Sequence, residues 1–437
     1  MQSFNDTLKI QYDSCPPGCA ACVDACAKAK NGGSPEASRI RVLHLADEGF
    51  NGASTCLQCG VPECVAVCPT GALTRSDADG TVRISEEKCV GCALCTVACP
   101  YGGALYDQVR KKAYKCDRCD GEPKCVDSCE YGVLSLLRTQ RMSSYLRTDD
   151  PFVKGTGLCF GCPAELAARL TMRILGDDTF LFSAPGCACL GIVGLGTETT
   201  TRLPATMCLM TNVPSTMTGV KRYYKSQGKD VRVVAFVGDG VTVDIGFQPL
   251  SGAAERGENI IYICYDNEAY MNTGVQRSGS TPLGAWTNTS PVGRIRRGKE
   301  RPAKNMPLLM AFHQVPYVAT ATIAHLEDYA RKLEKAREVK DGLVYIHLLS
   351  PCPTGWRSPT DSALEVCQAA VDTNFFPLWE AEYGRFRLTN EVKHPKPVRA
   401  YTGLMGRFGH LRNDEIEELQ RTVDSDYARL KALCTIL

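Results

Sequence analysis

Residues 231–279 read VRVVAFVGDGVTVDIGFQPLSGAAERGENIIYICYDNEAYMNTGVQRSG, and this stretch decides the fold. Val231–Val237 is a short β-branched run of the buried-strand kind, broken by a tight turn at Gly238-Asp239-Gly240. Ile245–Arg256 places apolar residues at helical spacing, and Gly257 stops the helix. Ile260–Tyr265 is a second apolar strand, with Asp266-Asn267-Glu268 at its carboxyl end. A right-handed strand–helix–strand unit brings both strand ends to one edge of the sheet. Asp239 and Asn267 are therefore expected to face one ligand. A hard cation explains the pairing, because magnesium takes oxygen ligands and is held by one or two protein groups plus phosphates. Asp239 offers a carboxylate, Asn267 an amide oxygen and Ala269 a main-chain carbonyl.

A lone Gly-Asp-Gly is usually no more than a turn. A GDG turn followed, one helix and one strand later, by an asparagine resembles the thiamine diphosphate motif. The longer string YDNEAYMNTGVQRSG resembles the β subunit of the 2-oxoacid:ferredoxin oxidoreductases, the pyruvate synthase type. The resemblance implies thiamine diphosphate and Mg2+ held by Gly238, Asp239, Gly240, Asn267, Ala269 and Asn272. Asn272 matches a family asparagine near the reacting carbon, for which a polarising or positioning role is expected. The carboxylate that activates the pyrimidine has no convincing candidate, since Asp244, Glu255 and Glu268 all lie on the diphosphate side. In the family that glutamate comes from another subunit.

Composition bounds the rest. A chain of 437 residues should hold roughly two or three domains. A formal charge of +2 offers no broad attraction for nucleic acid. No apolar signal core opens the sequence and no run of about 18 apolar residues follows, so a cytoplasmic protein without a membrane span is expected. The chain has 25 cysteines, and sixteen of them precede residue 130. A disulfide scaffold would be small and secreted, so metal-bound thiolates are the better reading.

Those sixteen come in fours. They are Cys15, Cys19, Cys22 and Cys26; Cys56, Cys59, Cys64 and Cys68; Cys89, Cys92, Cys95 and Cys99; and Cys116, Cys119, Cys125 and Cys129. The third group, followed by Pro100, has the ferredoxin spacing in which the fourth cysteine ligates the neighbouring cluster. Zinc is the competing reading of any CxxC pair. In the first group Cys15 and Cys19 are separated by three residues rather than two. Four such groups resemble the polyferredoxin subunits of molybdopterin oxidoreductases and formate hydrogenlyase. That resemblance implies four [4Fe-4S] clusters with nested ligation. Cys56, Cys59 and Cys64 share with Cys99; Cys89, Cys92 and Cys95 with Cys68. Cys15, Cys19 and Cys22 share with Cys129; Cys116, Cys119 and Cys125 with Cys26. In the second half, Cys159, Cys162, Cys187 and Cys352 match the oxidoreductase family's own cluster ligands, which makes five clusters. No local spacing singles out Cys352.

The expected architecture is a ferredoxin-like α+β domain over 1–137, a linker over 138–157, and a doubly wound α/β thiamine domain over 158–437. Ile40–Ala46 and Thr81–Ile84 read as strands, Leu203–Lys225 as a helix, and Thr287–Lys304 as a solvated basic loop. The segment from Ala363 is expected to pack on a partner subunit. The implied activity is CoA-dependent oxidative decarboxylation of a 2-oxoacid, pyruvate or phenylglyoxylate. Electrons would pass to ferredoxin, or to NAD through a flavin subunit. The implied partners are an α subunit supplying the glutamate and further γ/δ-type subunits. An electron-transfer subunit with a vestigial thiamine site is the alternative.

Overall fold

The structure, a computed structural model, describes residues 4–10, 15–31, 34–45, 50–59, 62–76, 80–140, 150–194, 200–294 and 297–435. The chain divides into two units, Met1–Ser144 and Tyr145–Leu437.

The first unit is made of small antiparallel pairs. β1 (Phe4–Ile10) pairs with β8 (Leu134–Gln140), tying the two ends of the unit together. β2 (Ile40–Leu45) pairs with β3 (Phe50–Thr55), β4 (Leu73–Arg75) with β5 (Val82–Ile84), and β6 (Ala104–Asp107) with β7 (Lys112–Lys115). Isolated hairpins of this size are marginal in water. Short helices carry the cysteines: α1 (Ala21–Asn31), α2 (Glu63–Ala66), α3 (Leu94–Ala98) and α4 (Lys124–Asp127). α1 packs on α4 and α2 on α3. The buried clusters are partly thiol: Leu8, Ile40, Ala53 and Leu134 share one with Cys26, Cys56, Cys116 and Cys125. An internal repeat is visible in the turns. Gly71, Gly102 and Gly132, each three residues after the last cysteine of its group, have φ of 62°, 61° and 65°. Each donates its N–H to the carbonyl of that cysteine at 3.2–3.3 Å. Left-handed backbone at that position explains the glycine.

Two expectations change here. The polar, glycine-containing β3 has no strand pattern of its own and is set by pairing with β2. The linker is shorter than 138–157, because Arg138–Gln140 belong to β8. At its other end Asp150 binds Arg169 at 3.2 Å and Arg173, and Phe152 pairs with Thr201. Residues 141–149 lie outside the described residues.

The second unit is the doubly wound α/β domain. Its strands are β9 (Thr179–Ser183), β10 (Ala205–Met207), β11 (Arg232–Gly238), β12 (Ile261–Asp266), β13 (Tyr317–Thr322), β14 (Val344–Leu349), β15 (Leu378–Glu382) and β16 (Arg385–Asn390), in the sheet order β10-β9-β11-β12-β14-β13-β15-β16. The first six in that order are parallel, and β15 and β16 are antiparallel. β12, β13 and β14 are buried along their whole length, as a parallel sheet covered on both faces requires. Truncating one such side chain, Ile263→Ala, should cost about 2–5 kcal/mol. Helices α5 (Ala164–Leu175), α6 (Val213–Ser226), α7 (Phe247–Glu255), α8 (Met306–Phe312) and α9 (Leu326–Glu338) connect or flank the parallel strands.

Two segments depart from the sequence reading, and a third gains structure that the sequence did not announce. Leu203–Lys225 splits into β10 and α6, because Pro204 and Pro214 confine the helix and Ala205–Met207 finds β9 as a partner. The turn after β11 is a π-helical segment, Gly240–Ile245, ahead of α7. From Ala363 the chain builds α11 (Ala363–Asp372), β15, β16, α12 (Arg399–Thr402) and α13 (Asn413–Thr435), so this segment belongs to the unit's own sheet and core.

Candidate active site

Parallel α/β sheets present ligand sites beyond the carboxyl ends of their strands. Here four neighbouring strands deliver the site: Cys187 follows β9, Asp239 follows β11, Asn267 follows β12 and Cys352 follows β14. A cavity of about 130 Å³ is lined by Gly238, Asp239, Gly240, Asn267, Ala269 and Asn272, all six of the residues expected at the cofactor. An adjoining cavity of about 70 Å³ is lined by Cys159, Cys162, Cys187 and Cys352. The two share Cys187, Tyr265, Asn267 and Asn272 as walls.

Asp239 is 1% exposed and accepts a hydrogen bond from Ser278 Oγ. Burial, then the nearby Asp266 carboxylate, push its acid well above the ordinary range. A divalent cation inverts that balance and keeps the carboxylate ionised. The oxygen geometry fits one. The side-chain oxygen of Asn267 lies 2.8 Å from the Ala269 carbonyl oxygen and 3.1 Å from Asp239 Oδ1. Turning the amide would convert these contacts into hydrogen bonds. With oxygen facing them, the Asn267 oxygen stands from each of the other two at the edge length of a magnesium octahedron, about 2.9 Å for magnesium–oxygen bonds of 2.0–2.1 Å. Gly240 has no room for a side chain, since a Cβ would lie 2.4 Å from the Tyr270 ring. Tyr270 Oη in turn donates to the Gly240 carbonyl at 3.2 Å. Gly240 and Val241 open the helical segment and line the cavity; N–H groups at such a start lack intrahelical partners and suit a phosphate.

The loop after β12 is two-sided. Tyr265, Asn267 and Ala269 line the cofactor cavity, whereas Asp266 and Glu268 line a larger one of about 180 Å³ that holds none of the expected ligands. Asp266 pins this loop. It accepts from the Glu268 N–H at 2.7 Å, holding Glu268 at φ 63°, and it also accepts from Ser280 Oγ and from His347 Nε2 at 2.8 Å. Tyr345 Oη bonds His347 Nδ1 at 2.7 Å.

Sequence reasoning missed a clamp made from distant chain. The Arg407 guanidinium lies 3.6 Å over the Trp356 ring and pairs with Glu268 at 2.5 Å. Trp356 Nε1 donates to the Asn267 carbonyl at 2.7 Å, and its own N–H bonds the Cys352 carbonyl at 2.8 Å. One indole therefore touches both the cation-facing loop and the cysteine of the cluster cavity. Its helix, α10 (Pro353–Trp356), also donates the Gly355 N–H to Cys352 Sγ at 3.3 Å. The "basic loop" 287–304 is only partly solvated. Lys299 is buried among the carbonyls of Gly279, Thr281 and Pro302, and burial lowers its ammonium to about 8. Cys189, two residues beyond Cys187, is buried with its Sγ 2.9 Å from Met207 Sδ and does not line the cavity of the four cysteines.

In the first unit the predicted cysteine sets come together. Burial and the neighbouring Cys19 and Cys129 thiolates raise the Cys15 thiol. Burial likewise raises Cys64, with Cys56, Cys99 and Cys59 adding to it. Cys26, Cys116, Cys119 and Cys125 line one small cavity, and Cys68, Cys89, Cys92 and Cys95 another. The extra residue between Cys15 and Cys19 is absorbed in a turn, Cys19 N–H to Pro16 carbonyl at 3.2 Å, with Gly18 at φ 76°. Although burial opposes it, Cys99 is held below the ordinary thiol value by the N–H groups of Tyr101, Gly103 and Ala104. Among the described residues no three His, Cys, Asp or Glu side chains converge on a single-ion position.

Residues 185–348 match the family described as "Thiamine pyrophosphate enzyme, C-terminal TPP binding domain", and residues 50–139 match "4Fe-4S dicluster domain". The NADH-dependent phenylglyoxylate dehydrogenase subunit beta of Aromatoleum evansii is 45% identical over 414 residues, 93% of each chain. The chain belongs to the β subunits of the 2-oxoacid oxidoreductases. Members of this family bind thiamine diphosphate and take part, within multisubunit complexes, in oxidative decarboxylation coupled to electron transfer. This β subunit is also 49% identical to pyruvate synthase subunit PorB of Methanothermobacter thermautotrophicus over 268 residues, 61% of this chain and 92% of the relative. Ketoisovalerate oxidoreductase subunit VorB of Pyrococcus furiosus is 40% identical over 298 residues, 66% and 94%. Those two lengths approach that of the second unit alone. A match to 93% of the chain cannot leave out the cysteine array. Among the described residues no helix is long and apolar enough to cross a membrane.

Proposed function

We propose that this β subunit carries the thiamine half of a CoA-dependent oxidation of an aryl 2-oxoacid in the cytoplasm. The overall reaction is 2-oxoacid plus CoA thiol plus NAD+, giving acyl-CoA, CO2 and NADH. The carrying observation is the pair of adjoining cavities with common walls, one lined by Gly238-Asp239-Gly240 and Asn267, the other by four cysteines. When bound, thiamine diphosphate supplies the nucleophilic carbon and the electron sink for decarboxylation. Asp239, Asn267 and Ala269 hold Mg2+, and with it the diphosphate. Asn272 stands at the junction of the two cavities and positions the substrate carbonyl. Among the described residues Asp239 is the only carboxylate lining the cofactor cavity, which supports a glutamate delivered by an α subunit. Cys159, Cys162, Cys187 and Cys352 hold a [4Fe-4S] cluster beside the cofactor, and the sixteen early cysteines hold four more. Thiolates spread around a cavity suit a polynuclear cluster better than one zinc, which needs four ligands at about 2.3 Å. The likeness over 93% of each chain to an NADH-dependent phenylglyoxylate dehydrogenase subunit favours an aryl substrate and NAD+ as final acceptor; a flavin subunit would couple the one-electron clusters to hydride transfer.

Acyl-CoA analysis of the purified complex, supplied in turn with phenylglyoxylate and pyruvate, tests the substrate; benzoyl-CoA is expected, and acetyl-CoA alone overturns the choice. Bound thiamine and about twenty iron atoms per chain are expected, four for each of five clusters. A complex without thiamine would make the site vestigial.

A further inference from the structure

The four cysteine sets of the first unit stand in line. Cys22 and Cys129 of one set pack with Cys26, Cys116 and Cys125 of the second and with Cys56 of the third. The third set also enters the other buried cluster, through Cys64 and Cys99, beside Cys68, Cys89 and Cys95 of the fourth. The line therefore has two ends, the Cys15 set and the Cys92 set, and their surfaces differ. Cys92 is the one exposed thiol among the sixteen. Around it Val97 is 85% and Val109 92% exposed, with Val90, Leu94 and Tyr101 exposed as well. At the other end, among the described residues of the Cys129 turn, Tyr131 is exposed, at 47%.

This apolar rim is built. Val109 sits on a turn capped by Asp107, whose Oδ1 accepts the N–H groups of Val109 and Arg110 at 2.9 Å. The Cys89–Cys92 loop is seated on that turn so closely that a Cβ on Gly91 would lie 2.1 Å from the Lys111 carbonyl oxygen. The two segments thus form one patch. Exposed Lys88, Arg110 and Lys111 outnumber the exposed Glu86 and Glu87 around it. Electron tunnelling falls off exponentially with distance, so a partner gains most by docking where a ligand thiol reaches the surface. Apolar centres with charged rims are the usual anatomy of such contacts.

We propose that the patch formed by Val90, Leu94, Val97 and Val109 is where electrons leave the chain. Its occupant is the electron-accepting flavoprotein subunit, which presents an apolar, acid-rimmed face. This rests on the cluster reading proposed above. Two electrons leave singly through the Cys68/Cys89/Cys92/Cys95 set and reduce the flavin, which takes up a proton from solvent, balancing the one lost by the CoA thiol, and passes both electrons and that proton as hydride to NAD+.

The test uses the whole complex carrying Val97→Glu and Val109→Glu together. With 2-oxoacid and CoA, NAD+ reduction should fall about tenfold or more while reduction of methyl viologen stays within about twofold. Lys111→Glu should raise the NaCl sensitivity of neither activity and should weaken retention of the flavoprotein on gel filtration. Unchanged NAD+ reduction in the double variant, or equal loss of both activities with iron content intact, overturns the proposal. A complex that reduces ferredoxin but not NAD+ overturns the choice of partner. Iron or visible cluster absorbance missing from the unaltered complex is a failure of the cluster reading instead.

Discussion

The two units solve the same problem, holding redox groups close together, by opposite means. In the second unit an eight-stranded sheet buries a continuous apolar core, and the site is what four strand ends leave over. In the first unit the hairpins are two strands each, and the cysteines proposed as ligands themselves fill the interior: Cys64, Cys89 and Cys95 pack with Ala72, Leu73 and Val82. One unit has a core that positions ligands; in the other the ligands are much of the core. Small metal domains whose ligands are their core tend to fold only with metal.

Removing iron is the most severe way to probe that contrast. Chelation under anaerobic, reducing conditions should unfold residues 4–140 and leave the second unit folded. Hydrogen exchange would show it: protection in β1 and β8 falls to that of an unfolded chain, while β12–β14 keep theirs. Comparable protection in both units after iron loss would mean the first has a self-sufficient core.

Next in size come single ligands of the second unit, which should remove function without unfolding anything. Asp239→Ala takes away the one carboxylate of the cofactor cavity, and thiamine diphosphate should bind about a hundredfold more weakly, with all iron retained. Isothermal titration against the unaltered complex measures this. Cys352→Ser should leave the N-terminal clusters present but unreduced by 2-oxoacid and CoA, as rapid-freeze EPR would report; normal filling would show another route out of the thiamine site.

A subtler variant asks whether the sheet's cofactor and cluster cavities are mechanically one. Trp356→Phe keeps the ring under Arg407 but deletes the 2.7 Å bond to Asn267. A loss of about 1–2 kcal/mol in cofactor affinity is expected, together with a shifted EPR spectrum for the cluster proposed to bind Cys352. A change in only one of the two would separate them.

Much of this contrast was legible in the sequence, and unevenly. The first unit announces its ligands by spacing, because neighbouring cysteines on one tight loop need no tertiary information. Gly238-Asp239-Gly240 and Asn267 are legible for the same reason, being one strand–helix–strand apart. Cys352 is not, since β14 is brought beside β12 by a long-range parallel pairing that runs from Ile261–Val344 to Asp266–Leu349. Arg407 and Trp356 carry no local signal at all: their meaning comes from a stack between residues far apart in sequence. The C-terminal strands were not foreseen, because β15 is completed by antiparallel pairing with β13, a contact no periodicity encodes.

The smallest expected effect concerns those strands. Glu380 is buried; against the opposing effect of burial, Lys335, Arg387 and Tyr317 hold its carboxyl at about 2. A depressed folded-state value stabilises above the ordinary carboxylate range near 4.3 and loses that stabilisation as pH falls toward 2. Glu380→Gln should therefore cost about 1–2 kcal/mol at neutral pH and little near pH 2. Urea midpoints at the two pH values test it, and an equal loss at both would deny the charge any part.

The two-sided loop after β12 has a consequence for how such a chain can change over time. Tyr265 and Asn267 look into the cofactor cavity, Asp266 and Glu268 away from it. Replacing one of these residues disturbs one side. Inserting or deleting a residue exchanges the sides, sending a carboxylate into the cofactor cavity and the amide oxygen away from the magnesium proposed there. Drift by substitution is open to this loop, whereas a change of length closes it.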